Sequence, residues 1–89
     1  MTETRTHIIN KLGLHARAAT LLVNCASAFA SEVWIRLGDR RINGKSIMGV
    51  LTLAATKGSE VVVEAEGPDE EEAVAAVVAL IQNRFNEEA

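Results

Sequence analysis

A histidine and an arginine stand two residues apart where a turn leads into a predicted helix. Segment 13–17 reads Gly-Leu-His-Ala-Arg, and the apolar spacing after it predicts a helix over 16–29. The first N–H groups of a helix lack internal partners and lie at the positive end of its dipole, so they favour an anion. A phosphoryl group on His15 would meet these amides, and the forked guanidinium of Arg17 could neutralise it. Because an ordinary histidine ring titrates near neutrality, this combination indicates reversible phosphoryl transfer.

A second candidate site surrounds Ser46. Segment 43–50 reads Asn-Gly-Lys-Ser-Ile-Met-Gly-Val, but Asp39 stands where a phosphate-binding P-loop needs glycine, so that motif is excluded. Ser46 precedes an apolar run and is predicted to cap a helix over 47–54. A phosphate on Ser46 would lie at that helix start and would add negative charge to the neighbouring surface.

The helix predicted after Ser46 has more apolar side chains than one small core needs. Val50 and Leu53 are expected to face the core, and three others point elsewhere: Ile47, Met48 and Leu51. A contiguous exposed apolar group indicates a docking surface. The alternative is that these side chains pack under a neighbouring loop.

The remaining elements must position these sites. Strand-forming residue types, alternation and turn residues together predict strands at 4–10, 32–37, 40–42 and 60–66. The final helix is predicted to start with a D-x-x-E cap from Asp69 and Glu72, and its apolar stripe is Val74, Val77, Val78, Ile81 and Phe85. The order βαββαβα indicates an α+β domain, with three helices on one face of an antiparallel sheet. Ferredoxin-like domains share this order without the last helix.

The composition of the chain argues against several classes of function. The chain has 89 residues, which fits a single domain over 1–89, and its net charge of −3 argues against binding of nucleic acid or anionic membrane. Cys25 is the one cysteine, so no internal disulfide is expected, and neither it nor the two histidines show metal-ligand spacing. No cofactor is expected. The N-terminus lacks a signal core and no apolar run could span a bilayer, so we expect a cytoplasmic protein and no membrane insertion.

The distribution of charges indicates the character of the surface around His15, and the second histidine lies outside the candidate site. Acidic residues gather at 60–72 and in the C-terminal tail, whereas four cations lie elsewhere in the sequence: Arg17, Arg40, Arg41 and Lys45. The face near His15 is therefore expected to be neutral to basic. His7 lies in a predicted strand without a matching partner, and we interpret it as structural.

Two segments resemble the signatures of a known family. Segments 13–17 and 44–50 are similar to those of HPr, the histidine-containing phosphocarrier of the phosphoenolpyruvate-dependent phosphotransferase system. Chain length, element order and the positions of both segments also match, so the resemblance covers nearly the whole chain. The fold it implies is an open-faced β-sandwich, with four antiparallel strands covered by three helices.

The resemblance also implies roles for individual residues. His15 would be phosphorylated on Nδ1 by enzyme I, Arg17 would assist the transfer, and an enzyme IIA protein or domain would be the acceptor. Ser46 would match a regulatory serine phosphorylated by an HPr kinase/phosphorylase. The docking surface would consist of Thr20, Leu21, Ile47, Met48 and Leu51. Such a protein is a phosphocarrier and not an enzyme, and a monomer is the expected state.

The chain departs from the family pattern in one place and mixes two branches of the family in others. A proline usually follows the arginine, and Ala18 stands there in this chain. Proline early in a helix removes an amide that would be unpaired and fixes φ, so Ala18 is expected to loosen the turn and alter transfer kinetics. Segment 66–73 looks more like the nitrogen-related branch, whereas the Ser46 segment looks like HPr of organisms that have the kinase.

Two other functions stay open from the sequence. The chain could be a regulatory binding module that works through Ser46 and the apolar surface, with His15 silent. It could also be a small enzyme of the acylphosphatase kind, which holds phosphate with an arginine, although no second catalytic group lies near Arg17 in the sequence.

Overall fold

Residues 1–88 form one four-stranded sheet and three α-helices. The computed structural model describes residues 1–88. The elements have these bounds: β1 Thr2–His7, α1 Ala16–Ser27, β2 Glu32–Leu37, β3 Arg40–Asn43, α2 Ile47–Leu53, β4 Glu60–Glu66 and α3 Glu70–Gln82. The strands lie in the order β1-β4-β2-β3 and neighbouring strands are antiparallel. The predicted order βαββαβα and the open-faced α+β architecture are confirmed.

The first strand and the first helix differ from their predicted bounds. β1 starts earlier and pairs with β4 from Thr2 opposite Ala65 to His7 opposite Glu60, and the chain then leaves the sheet. The mixture of Thr, His and Ile predicts a strand up to Asn10, but residues 8–10 belong to the loop that leads into α1. α1 ends at Ser27 instead of residue 29, since the amide of Ala28 already bonds Cys25 O, three residues back, at 3.2 Å.

The core lies between the helices and one face of the sheet. Val33 and Ile35 of β2 face inward with Val61 and Val63 of β4, as their alternation predicts. Leu22 of α1 is also fully buried in this core. Each such side chain contributes about 1.5–3 kcal/mol by leaving water.

The opposite face of the sheet is covered by ion pairs. Glu64 is buried there and accepts hydrogen bonds from Arg36 Nε at 3.2 Å and Arg41 Nε at 2.8 Å. The Arg41 guanidinium lies 4.0 Å from the centre of the Trp34 ring. Burial alone would raise the pKa of Glu64, but the hydrogen bonds and charges of the two arginines lower it. Trp34 and Arg36 thus lie opposite Val33 and Ile35, as the sequence predicts.

The last helix is shorter than its apolar stripe predicts. Val74, Val77 and Ile81 are buried, but α3 ends at Gln82 and Phe85 lies in a short 3-10 turn over Arg84–Asn86. All three residues of that turn have positive φ, between 52° and 64°. Left-handed backbone costs an L-residue about 1–2 kcal/mol. Complete burial of the Phe85 ring, which contributes about 1.5–3 kcal/mol, offsets part of that cost.

The predicted capping box of α3 is wrong. Asp69 is the N-cap residue, but its side chain makes no cap hydrogen bond. Its carboxylate instead accepts from the amides of Ala30 and Ser31, at 3.0 and 2.9 Å, and from the Ser31 hydroxyl at 2.5 Å. Two amides and a hydroxyl of the loop before β2 therefore outcompete the helix for this carboxylate, and Asp69 fastens that loop to α3.

We expect Asp69→Asn to lower thermal stability at pH 7 and to make it less sensitive to acid. The hydrogen bond from the Ser31 hydroxyl, followed by that from the Ala30 amide, lowers the pKa of Asp69 below its ordinary value of 3.8. A carboxyl whose pKa is lower in the folded state stabilises the fold above its unfolded pKa, and this contribution is lost as the pH falls through the folded pKa. The melting temperatures of wild type and variant should therefore converge as the pH falls through and below the ordinary carboxyl pKa of 3.8.

Asp39→Asn is the matched control for Asp69→Asn. Asp39 is exposed in the turn between β2 and β3, so its neutralisation should leave the pH dependence of melting almost unchanged. Parallel melting curves for wild type and Asp69→Asn from pH 7 to pH 2 would contradict the role assigned to the Asp69 carboxylate.

Candidate functional site

The loop that delivers His15 is built around Gly13. Gly13 has a φ of +65°, and a Cβ there would lie 2.6 Å from Ala55 O and 3.0 Å from Thr56 Cα. The next amide, that of Leu14, donates to the same Ala55 oxygen at 2.9 Å. Asn10, fully buried, donates from Nδ2 to Gly13 O at 2.8 Å. Glycine is therefore needed at this close approach, which fixes where the chain turns into α1.

His15 is the N-cap residue of α1. Its backbone is extended, with φ −85° and ψ 179°, and its side chain makes no cap hydrogen bond, so the ring is free for other contacts. The first bond of the helical ladder runs from the Ala19 amide to His15 O at 2.8 Å. The N–H groups of residues 16–18 precede that bond and have no partner inside α1, which leaves a positive helix end for an anion beside the histidine.

His15 and Arg17 line the same cleft, as their spacing predicts. The cleft has a volume of about 420 Å³ and is lined by Lys11, Leu12, His15, Arg17 and Glu87. Of the four cations expected to make this face basic, Arg17 lines the cleft. Arg41 lies instead on the far face of the sheet, where it pairs with Glu64. Lys11 is not predicted as a site residue from the sequence, because an isolated lysine in a loop forms no pattern that indicates a site.

Glu87 is a site residue that sequence reasoning missed. Its Oε2 is hydrogen-bonded to His15 Nε2, and its Oε1 accepts from Asn10 Nδ2 at 3.0 Å. Both side chains are largely withdrawn from water, with 27% of His15 and 14% of Glu87 exposed. Burial alone would raise the pKa of Glu87, but hydrogen bonds from Asn10 and His15 and the charges of His15 and Arg17 together lower it.

No signal in the sequence pointed to Glu87 or to Asn10. Glu87 belongs to an acidic tail 72 residues from His15, and acidic tails are usually solvated. The left-handed turn at Arg84–Asn86, which bends the chain back towards His15, has no glycine that would have indicated it.

Ser46 caps α2, as predicted. Its Oγ accepts from the Gly49 amide at 3.1 Å, and its carbonyl accepts from the Val50 amide at 3.0 Å. The side chain is half-buried at the start of a seven-residue helix. This serine therefore has a structural role whether or not it is ever modified.

We expect Ser46→Ala to destabilise the fold by about 1 kcal/mol and Ser46→Asp to retain most of that stability. Alanine cannot accept the Gly49 amide, whereas aspartate is as good an N-cap as serine. Urea unfolding followed by circular dichroism measures both. Equal stability of wild type and Ser46→Ala would contradict the cap, and the result also shows whether Ser46→Asp can serve as a folded phosphate mimic.

The apolar residues of α2 divide as the sequence predicts except at Leu51, which packs partly against the core. Val50 and Leu53 are buried, whereas Met48 is 69% and Ile47 is 43% exposed. Leu51 is half-buried against the core, and so is Leu21 of α1. Thr20 is exposed and its hydroxyl donates to Ala16 O at 3.0 Å. We define the α1/α2 apolar surface as Thr20, Leu21, Ile47, Met48 and Leu51.

Comparison with known proteins identifies the family. The model of the PTS-HPr family, described as "PTS HPr component phosphorylation site", matches residues 2–83. The chain belongs to the HPr family. The phosphocarrier protein HPr of Cupriavidus necator is 53% identical over 87 residues, which cover 98% of each chain. The resemblance seen in segments 13–17 and 44–50 is confirmed.

Solved HPr structures have the same fold. HPr-C-His from Thermoanaerobacter tengcongensis superposes with a TM-score of 0.96, at 47% identity and over 100% of both chains. The HPr dimer from the same organism superposes with a TM-score of 0.78, over 98% of this chain and 100% of that one.

Ala18 stands where the resemblance to HPr implies a proline. Ala18 is fully buried in the first turn of α1, and its amide is one of the three that precede the helical ladder. This chain thus retains one more N–H group at the helix end than a proline-bearing relative would have.

Proposed function

We propose that His15 accepts a phosphoryl group on Nδ1 from phospho-enzyme I and donates it to an enzyme IIA protein or domain of the phosphotransferase system. The observation that carries this proposal is the position of His15 at the open N-terminus of α1, in a cleft that also contains Lys11 and Arg17. Membership of the HPr family supports it. The protein is then a phosphocarrier of the cytoplasm, regenerated by other proteins, and not a catalyst.

The chemistry needs one nucleophile and several charge-neutralising groups. The lone pair of Nδ1 forms a bond to phosphorus, the bond from phosphorus to the donor atom of enzyme I breaks, and its electrons stay with the donor. The charge carried by the phosphoryl oxygens is met by the amides of residues 16–18 and by the Arg17 guanidinium. Lys11 adds a second cation at the cleft. Donation to enzyme IIA is the same exchange in reverse.

The α1/α2 apolar surface is proposed to bind both partners. Met48 and Ile47 are large, apolar and exposed, and a flexible methionine suits a surface that must fit more than one protein. In this arrangement the partner's reactive group approaches His15 while apolar contacts beside it hold the complex. A monomer suits this use of the surface, because a second copy seated there would block it.

Intact mass spectrometry tests the proposal. The protein is incubated with phosphoenolpyruvate and enzyme I, and one acid-labile phosphoryl group is expected, with none when enzyme I is omitted. HPr of Cupriavidus necator in the same reaction shows that the enzyme I is active. If that control is phosphorylated and this chain is not, the phosphocarrier proposal is wrong.

A second proposed role is regulation through Ser46, which caps α2 directly beside the exposed Ile47 and Met48. A phosphate there would add about two negative charges next to the apolar surface and would weaken binding of a partner that meets it. An HPr kinase/phosphorylase with ATP should therefore give an acid-stable gain in mass that Ser46→Ala lacks. Absence of such a gain from an active kinase would contradict this role.

A further inference from the structure

The C-terminal segment carries a carboxylate to the reactive histidine and fixes it there. Glu87 uses one oxygen for His15 Nε2 and the other for Asn10 Nδ2. Asn10 is fully buried and also donates to Gly13 O, so the carboxylate is held by the same loop that positions His15. Neither oxygen is free to turn away without breaking a contact inside the site.

The backbone before Glu87 is shaped for this contact. Arg84–Asn86 are three successive residues in the left-handed region, and none of them is glycine. The turn is closed by the Glu87 amide, which donates to Arg84 O at 2.9 Å, and Phe85 anchors it in the core. A strained turn persists only where surrounding contacts hold it in place. We therefore conclude that this turn fixes the position of Glu87.

We propose that Glu87 is a positioning residue that keeps the His15 proton on Nε2, leaves the lone pair on Nδ1, and stabilises the positive ring formed on phosphoryl acceptance. A carboxylate can only accept, so the ring nitrogen that contacts it must bear hydrogen. In a neutral ring the other nitrogen then has the lone pair. The inference rests on the phosphocarrier function proposed above and adds a group that acts through the histidine.

The charges balance in the proposed step. When the Nδ1 lone pair becomes a bond to phosphorus, Nε2 keeps its hydrogen and the ring gains a positive charge, while the donor atom regains its electron pair. The Glu87 carboxylate lies against Nε2–H, where it stabilises that positive charge. In serine proteases a buried aspartate orients a histidine and stabilises its cationic form by the same physical effect.

Glu87→Gln separates this role from simple packing. Glutamine has the same shape, but its amide can donate to Nε2 and so favours hydrogen on Nδ1, the nucleophilic atom. We expect the single-turnover rate of phosphoryl transfer from phospho-enzyme I to fall at least roughly tenfold, the lower end of what loss of a carboxylate partner costs a metal-binding histidine, whereas the corresponding change in a serine protease costs about 10⁴-fold. Glu88→Gln removes the same charge from an exposed neighbour and should leave the rate unchanged.

The tautomer is measured independently by ¹⁵N NMR of the His15 ring at pH 9, above the ordinary titration range of histidine. The wild type and Glu88→Gln should show hydrogen on Nε2, and Glu87→Gln should shift towards hydrogen on Nδ1. A wild type that is phosphorylated at the same rate as Glu87→Gln, with the same tautomer, overturns the inference and leaves the phosphocarrier function intact. A wild type that enzyme I does not phosphorylate overturns both.

Discussion

We expect His15→Ala to abolish the proposed phosphoryl acceptance, with a rate at least about a thousandfold below that of wild type. Removal of a covalent nucleophile typically costs on the order of a millionfold when nothing replaces it. Arg17 and Lys11 would still hold charge at the cleft, but neither can take over the role of the ring. Intact mass and a radiolabelled transfer assay from phosphoenolpyruvate and enzyme I measure the loss.

His7→Ala is the matched control, because His7 is the other histidine of the chain. It lies in β1, its ring is 58% exposed, and Nε2 is 3.7 Å from Glu60 Oε2. We expect it to accept phosphoryl groups at the wild-type rate. If His15→Ala, shown to be folded by its melting curve, gained the same acid-labile group, the assignment of His15 would be wrong.

The sequence predicts the sheet and the helices well because their signals are local. The alternation of Val33 and Ile35 with Trp34 and Arg36 sets one buried and one exposed face, and the structure shows both. Ser46 and the division of α2 into buried and exposed residues follow from capping and helical spacing. Each of these features is decided by residues no more than four positions apart.

Two of the errors, at Asp69 and at Phe85, come from contacts between residues that lie far apart in the chain. Asp69 carries the local pattern of a capping residue, but Ala30 and Ser31 arrive from a distant loop and offer its carboxylate three donors. Phe85 fits the helical stripe of α3, yet it reaches the core through a left-handed turn that contains no glycine to indicate it. In both places tertiary contacts outweigh local preference.

The candidate site likewise combines a local feature that the sequence indicates with long-range contacts that it does not. The pair of His15 and Arg17 is local, and the sequence predicts that the two residues share a site. Glu87 and Asn10 complete the site through contacts that span 72 and 77 residues, and such contacts are not visible as spacing. A sequence can thus indicate a candidate nucleophile of a small domain, whereas the carboxylate that contacts it is found only when the fold is known.

Gly13→Ala should destabilise the fold by about 2–5 kcal/mol and slow phosphoryl transfer, because this residue combines a positive φ with a close backbone approach. A φ of +65° costs an L-residue about 1–2 kcal/mol. The added Cβ would also lie 2.6 Å from Ala55 O, a backbone atom held in place by the Leu14 amide, and relieving such overlap costs typically about 1–3 kcal/mol. The backbone must move, and with it His15 two residues later.

Gly38→Ala separates the cost of a positive φ from the cost of steric overlap. Gly38 has a nearly identical φ of +59°, but a Cβ there meets nothing within 4 Å, so we expect a loss of only about 1–2 kcal/mol and a normal transfer rate. Urea unfolding gives both stabilities, and the enzyme I assay gives both rates. The rate for Gly13→Ala should fall up to roughly a hundredfold, since a displacement of about 1 Å at a reacting group has that effect. Equal stability losses for the two variants would show that the Ala55 contact does not constrain the loop, and that His15 is positioned mainly by α1 and by Asn10.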